Sequence, residues 1–295
     1  MKNHCAAKEN PIMSQPSFTS LIVTYNSASE ISNLLNDLHS YLPNSKIIVI
    51  DNASSDGTVG VVQEHFPYVQ LIQNSTNVGY AKAVNQGFAL CHTEYVLLLN
   101  PDIRIHSLQL FAEMERCLKS FRRIAAVAPL QFKNDDEKQY LNFTWSYSTL
   151  DAFKVYVSFL MRGKPAFLEP IRVPFLNAGC LFIRRSAFEE VGRLNEKYFL
   201  YGEEPDLFLK FRRYGFECYL LPNVTVTHYR ERSLMTRPAL QRLKIRIHAA
   251  WNIADALING WANILSDKLV AKRSPFMNGK RQTTYQKQTS DNLGS

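Results

Sequence analysis

The stretch Tyr95-Val-Leu-Leu-Leu-Asn-Pro-Asp102 decides the fold of this 295-residue chain. Its apolar run predicts a strand that is buried on both faces, as is typical of a parallel sheet. The polar residues after such a strand lie at the carboxyl edge of the sheet, where ligands of α/β folds bind. A carboxylate at that edge, such as Asp102, suits a divalent cation. Asp102 could instead cap the following helix, since Asp is a common N-cap residue.

Strand patterns that alternate with helical patterns surround this stretch. The alternation predicts right-handed βαβ units and a mostly parallel sheet. Residues 131–170 show no regular pattern. A helix is predicted to open within 198–207 and to run through Arg213. Further strands are predicted over residues 18–25, 46–50, 69–73, 124–129, 177–185, 216–221 and 224–228.

The composition indicates a large folded core, because 46% of the residues are hydrophobic. The five cysteines are scattered without a paired spacing, which predicts reduced, mostly buried thiols of a cytoplasmic protein. The chain shows neither a signal-peptide pattern nor an apolar run of the roughly 18 residues that a spanning helix needs. Residues 1–17 and 274–295 are polar and are predicted to be disordered.

The positive charge is concentrated at the C-terminal end. Of the net charge of +8, residues 237–295 contribute +7, with ten Lys or Arg against three Asp. Residues 236–273 are predicted to form a basic amphipathic helical extension, with Arg242 and Arg246 opposite its apolar stripe.

This extension has three interpretations. The stripe could pack on the rest of the protein, or the helix could dock on an anionic membrane, which would be the inner face of the plasma membrane. Nucleic acid is the third partner considered and is disfavoured, because stacking aromatic residues do not interleave with the basic positions.

Chemistry-bearing side chains follow several of the predicted strands and one helix start. The segment from Thr24 to Asn26 and the carboxylate of Asp51 suit a nucleoside, while Asp102 and His228 suit a divalent metal. Each also has an ordinary structural explanation, as a turn cap or a buried histidine. The acids Glu203, Glu204 and Asp206 could supply a general base or could simply be helix-terminus charges.

These motifs, taken in order, resemble those of family 2 inverting glycosyltransferases with the GT-A fold. Within that family they are most similar to the bacterial branch that includes rhamnosyltransferases of cell-surface polysaccharide assembly. The resemblance implies one domain over residues 18–235, with a nucleotide-binding half (18–130) and an acceptor and catalytic half (131–235). The matching segments are Val23-Thr-Tyr-Asn-Ser27, Asp51-Asn-Ala-Ser-Ser-Asp-Gly-Thr58, Asn77-Val-Gly-Tyr80, Leu99-Asn-Pro-Asp102, Asn177-Ala-Gly179, Tyr201-Gly-Glu-Glu-Pro-Asp-Leu207, and His228 with Ser233.

The resemblance also implies roles for individual residues. Asp102 and His228 would bind Mg²⁺ or Mn²⁺, and Arg230 or Arg232 would cover the diphosphate. The sugar and acceptor pocket would be lined by Asn177, Ala178, Gly179 and Glu203. The nucleotide would be held by Thr24, Tyr25, Asn26, Asp51, Asp56 and Lys82.

Two departures from the family pattern accompany these roles. The usual Glu-Asp base motif reads Glu203-Glu204, so the base position is Glu204, and Glu203 or Asp206 could serve instead. Asn100 stands where the first acid of the usual Asp-x-Asp stands, as in the branch that the chain resembles. It leaves one carboxylate for the metal, which could then be optional.

The implied activity is transfer of a sugar from a nucleotide-sugar donor to a glycan or polyprenyl-linked acceptor. Resemblance favours dTDP-rhamnose as donor, followed by UDP-hexoses or UDP-N-acetylhexosamines. Two alternatives are weaker. A nucleotidyltransferase should carry a glycine-rich basic motif after the first strand, which this chain lacks, and a non-catalytic relative should have lost the acids that are present.

Overall fold

The computed structural model describes residues 17–132, 169–229 and 239–273. The disorder predicted for the two termini falls outside these ranges, apart from residue 17, as do Arg230, Arg232 and Ser233. Most of the irregular region predicted over 131–170 also lies outside them.

The N-terminal half alternates strands and helices as predicted. Strand β1 pairs in parallel with β2 and with β4, and β2 pairs in parallel with β3. The elements are β1 (Phe18–Thr24), α1 (Ala28–Tyr41), β2 (Lys46–Asp51), α2 (Thr58–His65), β3 (Gln70–Gln73), α3 (Tyr80–Leu90) and β4 (Tyr95–Leu99).

The C-terminal half adds antiparallel strands to the same sheet. Its elements are β5 (Ile103–Ile105), α4 (Gln109–Ser120), β6 (Ile124–Phe132), β7 (Ile171–Val173), β8 (Cys180–Arg184), α5 (Arg185–Glu190), α6 (Glu203–Arg213), β9 (Glu217–His228) and α7 (Ala239–Arg273). The sheet runs in the order β3-β2-β1-β4-β8-β6-β9-β5, and β7 also pairs with β9. Strand β8 is antiparallel to β4 and β6, whereas β6 and β9 are parallel. The fold is therefore α/β with a mixed, mainly parallel sheet.

The two strands predicted over 216–221 and 224–228 are one strand, β9. In its ladder with β6, Leu221 pairs with Pro129, and the next pair is Thr225 with Leu130. The three residues of β9 between these pairs bulge out of the ladder. Pro222 lies in this bulge, where its missing N–H costs no ladder hydrogen bond. The sequence pattern was interrupted there, but the strand continues and carries His228 to the edge of the sheet.

Helices cover both faces of the sheet. Alternate residues of β1 point to opposite sides, so Leu21 packs with α3, α5 and α6, while Ile22 packs with α1, α2 and α4. The thiols at 91, 117, 180 and 218 are free and buried, as predicted, and Cys5 lies outside the described residues.

The long C-terminal helix α7 is confirmed, and it packs on α6 and on the loop before it, with Asn252, Ala256 and Ile264 buried. Six of its large apolar side chains are instead more than half exposed. Gly260 allows α7 to approach α6 closely, because a Cβ added to it would lie 2.3 Å from Leu209 Cδ1. Within the described residues, no helix combines the length and apolar composition that crossing a bilayer requires.

Candidate active site

The carboxyl ends of β1, β2 and β4 form one edge of the sheet. Thr24 and Asp51 are register partners in adjacent parallel strands, and Ile22 of β1 pairs with Leu99 of β4. The register therefore brings the residues after Leu99, including Asp102, to the same edge as Thr24 and Asp51.

Asn26 joins the loops that follow β1 and β2. Its φ of 53° is in the left-handed region, which Asn tolerates better than most residues. Its backbone N–H donates to Ser54 Oγ (2.8 Å), and its Oδ1 accepts from the Ser55 N–H (2.8 Å). The half-buried Tyr25 lies beside it. Asn26 thus holds the two nucleotide-predicted loops together.

Asp51 keeps one carboxylate oxygen available at this edge. Its Oδ2 accepts from the Ser54 N–H at 2.9 Å, while its Oδ1 is buried and accepts from no donor in the described part of the chain. The Thr24 hydroxyl is likewise buried without a described partner. A buried polar atom of this kind costs free energy unless a water or ligand satisfies it.

Asp56 and Lys82 differ from this pair. The Asp56 carboxylate accepts from the N–H of Ala28 (3.1 Å) and from the N–H and hydroxyl of Thr58 (3.1 and 2.5 Å). Burial opposes ionisation of Asp56, but these hydrogen bonds outweigh it and lower its pKa. Asp56 therefore ties α1 to α2, and Lys82 lies exposed in the first turn of α3.

Asp102 and His228 are brought together, as predicted, because Ile103 pairs with His228 between β5 and β9. His228 Nε2 lies 3.2 Å from Asp102 Oδ1. On the other side of the ring, His228 Nδ1 lies 3.1 Å from Gln131 Oε1. The amide of Gln131 is oriented by its Nε2, which donates to Asn177 O at 3.0 Å.

These contacts assign the Nδ1 hydrogen of His228, because Gln131 Oε1 can only accept. Asn100 Nδ2 lies 3.4 Å from Nε2, too far for a strong hydrogen bond. A bound cation would therefore meet Nε2 and Asp102 Oδ1 as its two adjacent ligand atoms.

This donor pair fits Mg²⁺ or Mn²⁺. Two adjacent ligands of an octahedral cation, each about 2.1 Å from it, lie about 3 Å apart, close to the observed separation. The described residues contain no group of three or more His, Cys, Asp or Glu that could hold an ion, so other positions would fall to phosphate or water.

Gly179 permits the close packing around His228. A Cβ added there would lie 2.4 Å from His228 Nδ1 and 2.7 Å from Gln131 Oε1. Its N–H donates to Asn177 Oδ1 (3.1 Å), and its carbonyl accepts from the Asn100 N–H (2.9 Å). The segment Asn177–Gly179, which was predicted to line the sugar pocket, thus packs against the imidazole of His228.

The first turn of α6 carries the three candidate bases. Glu203 and Glu204 line a small cavity together with Tyr80, Ala178 and Phe208. Burial, and then the charge of Glu204, raise the pKa of Glu203 from 4.5 to about 8.

The environments of these acids separate their roles. Glu203 is only 3% exposed, and its Oε2 lacks a described partner, so it stays protonated at neutral pH. Asp206 forms an ion pair with Lys210 at 2.8 Å. Glu204 is half-buried on the same cavity. The charge of Glu204 contributes to the raised pKa of Glu203, so Glu203 is the neutral member of the pair, and Glu204 as the base stays a prediction.

Tyr80 and Gln131 belong to the site, although the sequence analysis assigned no role to either residue. Tyr80 donates its N–H to Phe199 O (2.8 Å), and its hydroxyl lies 3.4 Å from Asn100 Oδ1. Burial raises its pKa well above 10, and nearby carboxylates raise it further, in the order Glu204, Glu203 and Asp102. Gln131 was detectable only as a polar residue within an apolar strand.

The protonated Glu203 predicts a pH-dependent stability. Since its pKa is about 8 in the folded protein against 4.5 ordinarily, the folded state retains a proton that the unfolded chain loses between these values. Its contribution to stability is therefore full below about pH 4.5 and declines as the pH rises to about 8. Glu203→Gln keeps the neutral shape and should remove this decline.

Thermal unfolding in EDTA at a series of pH values would measure the difference. The melting temperature of Glu203→Gln should match that of the unmodified protein near pH 5 and exceed it above about pH 8. If the melting temperatures of the two proteins change in parallel with pH, the pKa of Glu203 is the same in the folded and unfolded states, and the prediction is wrong.

Comparison with known proteins gives relatives of one kind. The chain is 27% identical, over 214 residues, to an N-acetylglucosaminyl-diphospho-decaprenol L-rhamnosyltransferase of Mycobacterium tuberculosis; the match covers 65% of this chain and 69% of the relative. It is 25% identical over 197 residues to the hexosyltransferase Agl10 of low-salt glycan biosynthesis in Haloferax volcanii, with coverage of 65% and 61%.

Solved structures show the same fold. GalNAc-T7, solved with UDP, GalNAc and Mn²⁺, superposes with a TM-score of 0.57 at 19% identity over 72% of this chain and 43% of that longer chain. The mannosyltransferase PcManGT from Pyrobaculum calidifontis, in complex with GDP-Man and Mn²⁺, gives 0.54 at 17% identity over 92% and 84%. The predicted GT-A fold is confirmed.

The match to a sequence family is decisive for the class of protein. The profile described as glycosyl transferase family 2 matches residues 19–192, which is more than half of the chain. The segment contains the β1, β2 and β4 strand ends and the Asn177–Gly179 support of His228. Together with the rhamnosyltransferase relative, it confirms the resemblance given by the motifs. The chain belongs to glycosyl transferase family 2, and the protein is a glycosyltransferase.

Proposed function

We propose that the protein transfers L-rhamnose from dTDP-rhamnose to a hydroxyl group of a polyprenyl-linked glycan, with inversion at the anomeric carbon. The observation that carries the proposal is the environment of Tyr80. Tyr80 lines the cavity of Glu204, and its hydroxyl lies 3.4 Å from Asn100 Oδ1, while Asn100 Nδ2 lies 3.4 Å from His228 Nε2. The candidate metal ligand and the candidate base therefore border the same small volume, as a displacement at one carbon requires.

The donor nucleotide binds at the carboxyl edge of β1 and β2. The free Oδ1 of Asp51 and the hydroxyl of Thr24 supply the acceptor and donor that a ribose or base needs, and Asn26 keeps their loops in place. Asp56 acts indirectly by tying the two helix starts together. Lys82, Arg230 and Arg232 stay predictions for contacts with the nucleotide or its diphosphate.

Asp102 and His228 would hold Mg²⁺ or Mn²⁺, consistent with the Mn²⁺ in two proteins of the same fold. A bound cation would neutralise the charge that builds on the departing diphosphate. Gln131 keeps the His228 Nε2 lone pair directed to the cation by accepting the Nδ1 hydrogen.

Glu204 takes the proton of the acceptor hydroxyl as its oxygen attacks the anomeric carbon. The new carbon–oxygen bond forms as the bond to the diphosphate breaks, and the electron pair leaves on the diphosphate oxygen. A single displacement needs one base and gives inversion, unlike the paired carboxylates of retaining enzymes. Protonated Glu203 and the Asn177–Gly179 segment border the sugar and acceptor.

The identities of donor and acceptor rest on the mycobacterial relative, whose name gives L-rhamnose and a decaprenol-linked acceptor. A UDP-hexose or UDP-N-acetylhexosamine donor is the second candidate, and the Agl10 hexosyltransferase relative favours it. The two candidates share the metal pair and the base, so they differ only in what the nucleotide and sugar pockets accept.

Nucleotide binding separates these candidates. Thermal unfolding would be measured with dTDP, UDP, GDP or CDP, each with Mn²⁺ and with EDTA. At about 100 times the dissociation constant, dTDP with Mn²⁺ should raise the melting temperature by roughly 5 °C or more, and EDTA should reduce the shift. A larger shift with UDP would favour the hexose donor, and no shift with any nucleotide would contradict the proposal.

A further inference from the structure

Helix α7 uses only one narrow face to pack on the protein. Asn252, Ala256 and Ile264 are buried on that face, and Asn252 Nδ2 donates to Leu200 O at 3.1 Å. The spacing of these residues, at every fourth position, defines a single side of the helix, which faces α6.

The opposite side carries an apolar row that nothing in the described structure covers. Its members recur at intervals of three, four or seven residues, so they align along one side of the helix over roughly 38 Å. Each is more than half exposed, and Trp251 reaches 74%. Large contiguous apolar surfaces are rare on soluble monomers and mark sites of interaction. The apolar row consists of Leu240, Leu243, Ile247, Trp251, Ile258 and Leu265.

The charges beside the apolar row are positive. Lys244 is exposed on one flank with His248 beyond it, whereas Arg246 is exposed on the side away from the apolar row. Asp255 is the only acidic residue in the sequence from 239 to 265. It is engaged by Lys197 Nζ (2.7 Å) and by the Tyr198 hydroxyl (2.8 Å). The surface around the apolar row therefore favours a partner with negative charge.

A second copy of the helix is a poor fit to this pattern. Parallel pairing through the apolar row would set Lys244 beside its own copy, which opposes like charges. Antiparallel pairing centred on the apolar row would bring Lys244 near residue 261, where the sequence offers no acidic partner for it. Neither arrangement therefore uses the positive charge beside the row.

We propose that α7 lies flat on an anionic bilayer, with the apolar row buried at the boundary between headgroups and acyl chains and Lys244 beside the headgroups. A lipid surface accepts apolar and cationic side chains from one helix face at once. Trp251, at the centre of the apolar row, suits this boundary because its ring is amphipathic. The inference uses no residue of the active site and so does not rest on the proposed function.

Vesicle binding by the full chain tests the proposal. Sedimentation with phosphatidylcholine vesicles, with and without phosphatidylglycerol, would be compared at low and high salt. We expect binding to be at least about tenfold stronger with phosphatidylglycerol and to weaken with salt. Ile247→Glu should lower it by at least about tenfold, whereas Phe121→Glu, at a residue 63% exposed outside the apolar row, should leave it unchanged.

Two further measurements keep the test decisive. Tryptophan fluorescence should shift to the blue with anionic vesicles, and Trp251→Phe should remove most of that shift. Light scattering without lipid should give a monomer. A dimer broken by Ile247→Glu would assign the apolar row to a second copy and overturn the proposal. No vesicle binding, or equal binding to neutral vesicles, would also overturn it.

Discussion

Glu204→Gln is expected to reduce the rate of sugar transfer by roughly 10²–10⁴-fold while changing nucleotide affinity by less than about twofold. Glutamine keeps the size and the hydrogen-bonding reach of the side chain but cannot take the acceptor proton. Glu204 lines the cavity beside Tyr80, whereas Asp51, the nucleotide-predicted carboxylate, lies at the β1–β2 edge. Steady-state release of the nucleoside diphosphate would measure transfer, and calorimetric titration would measure nucleotide binding.

Neighbouring acids supply matched controls for Glu204→Gln. Glu203→Gln replaces a carboxyl group that is already protonated at neutral pH, so transfer at that pH should stay within about tenfold of the unmodified protein. Asp206→Asn removes an ion pair to Lys210 but no cavity-lining group, so it too should retain activity. If Glu204→Gln retains normal turnover, or if Asp206→Asn loses as much, the base has been assigned to the wrong residue.

The sequence was sufficient for those parts of the site that follow strand ends. Asp51 and Asp102 come directly after apolar runs, and parallel strands deliver such residues to one edge without further information. The same reasoning found His228, because its strand ends on it. It also predicted helix α7, whose apolar spacing is regular.

The features of the fold and of the site that could not be predicted from the sequence depend on contacts between distant segments. Gln131 and His228 are 97 residues apart, and only the parallel register of β6 with β9 brings the amide to the imidazole. The apolar spacing of α7 did not indicate which side packs. That choice is made by the fit of Gly260 against Leu209, where a larger residue on α7 could not approach.

Asp102→Ala is expected to abolish the metal dependence of nucleotide binding and to lower transfer by at least about 100-fold. The substitution removes Oδ1, the one carboxylate oxygen within 3.2 Å of His228 Nε2, and leaves a single protein ligand for the cation. Calorimetric titration of the nucleoside diphosphate with Mn²⁺ and with EDTA should give two affinities for the unmodified protein and one for the variant. Asp255→Asn is the matched control, because Asp255 lies on α7, where it is engaged by Lys197 and Tyr198 and contacts neither ligand residue.

Gln131→Leu separates loss of a ligand from loss of its orientation. Both ligand atoms remain, but Nδ1 no longer has its acceptor, so His228 can place the hydrogen on Nε2 and turn the lone pair away. Loss of a residue that orients a metal ligand in this way costs about 10–100-fold in metal affinity. The Mn²⁺ dependence should therefore persist in Gln131→Leu at higher concentrations of the ion, whereas Asp102→Ala should show none at any concentration. If Asp102→Ala still distinguishes Mn²⁺ from EDTA as the unmodified protein does, the cation binds elsewhere, and the 3.2 Å contact is an ion pair of a protonated His228.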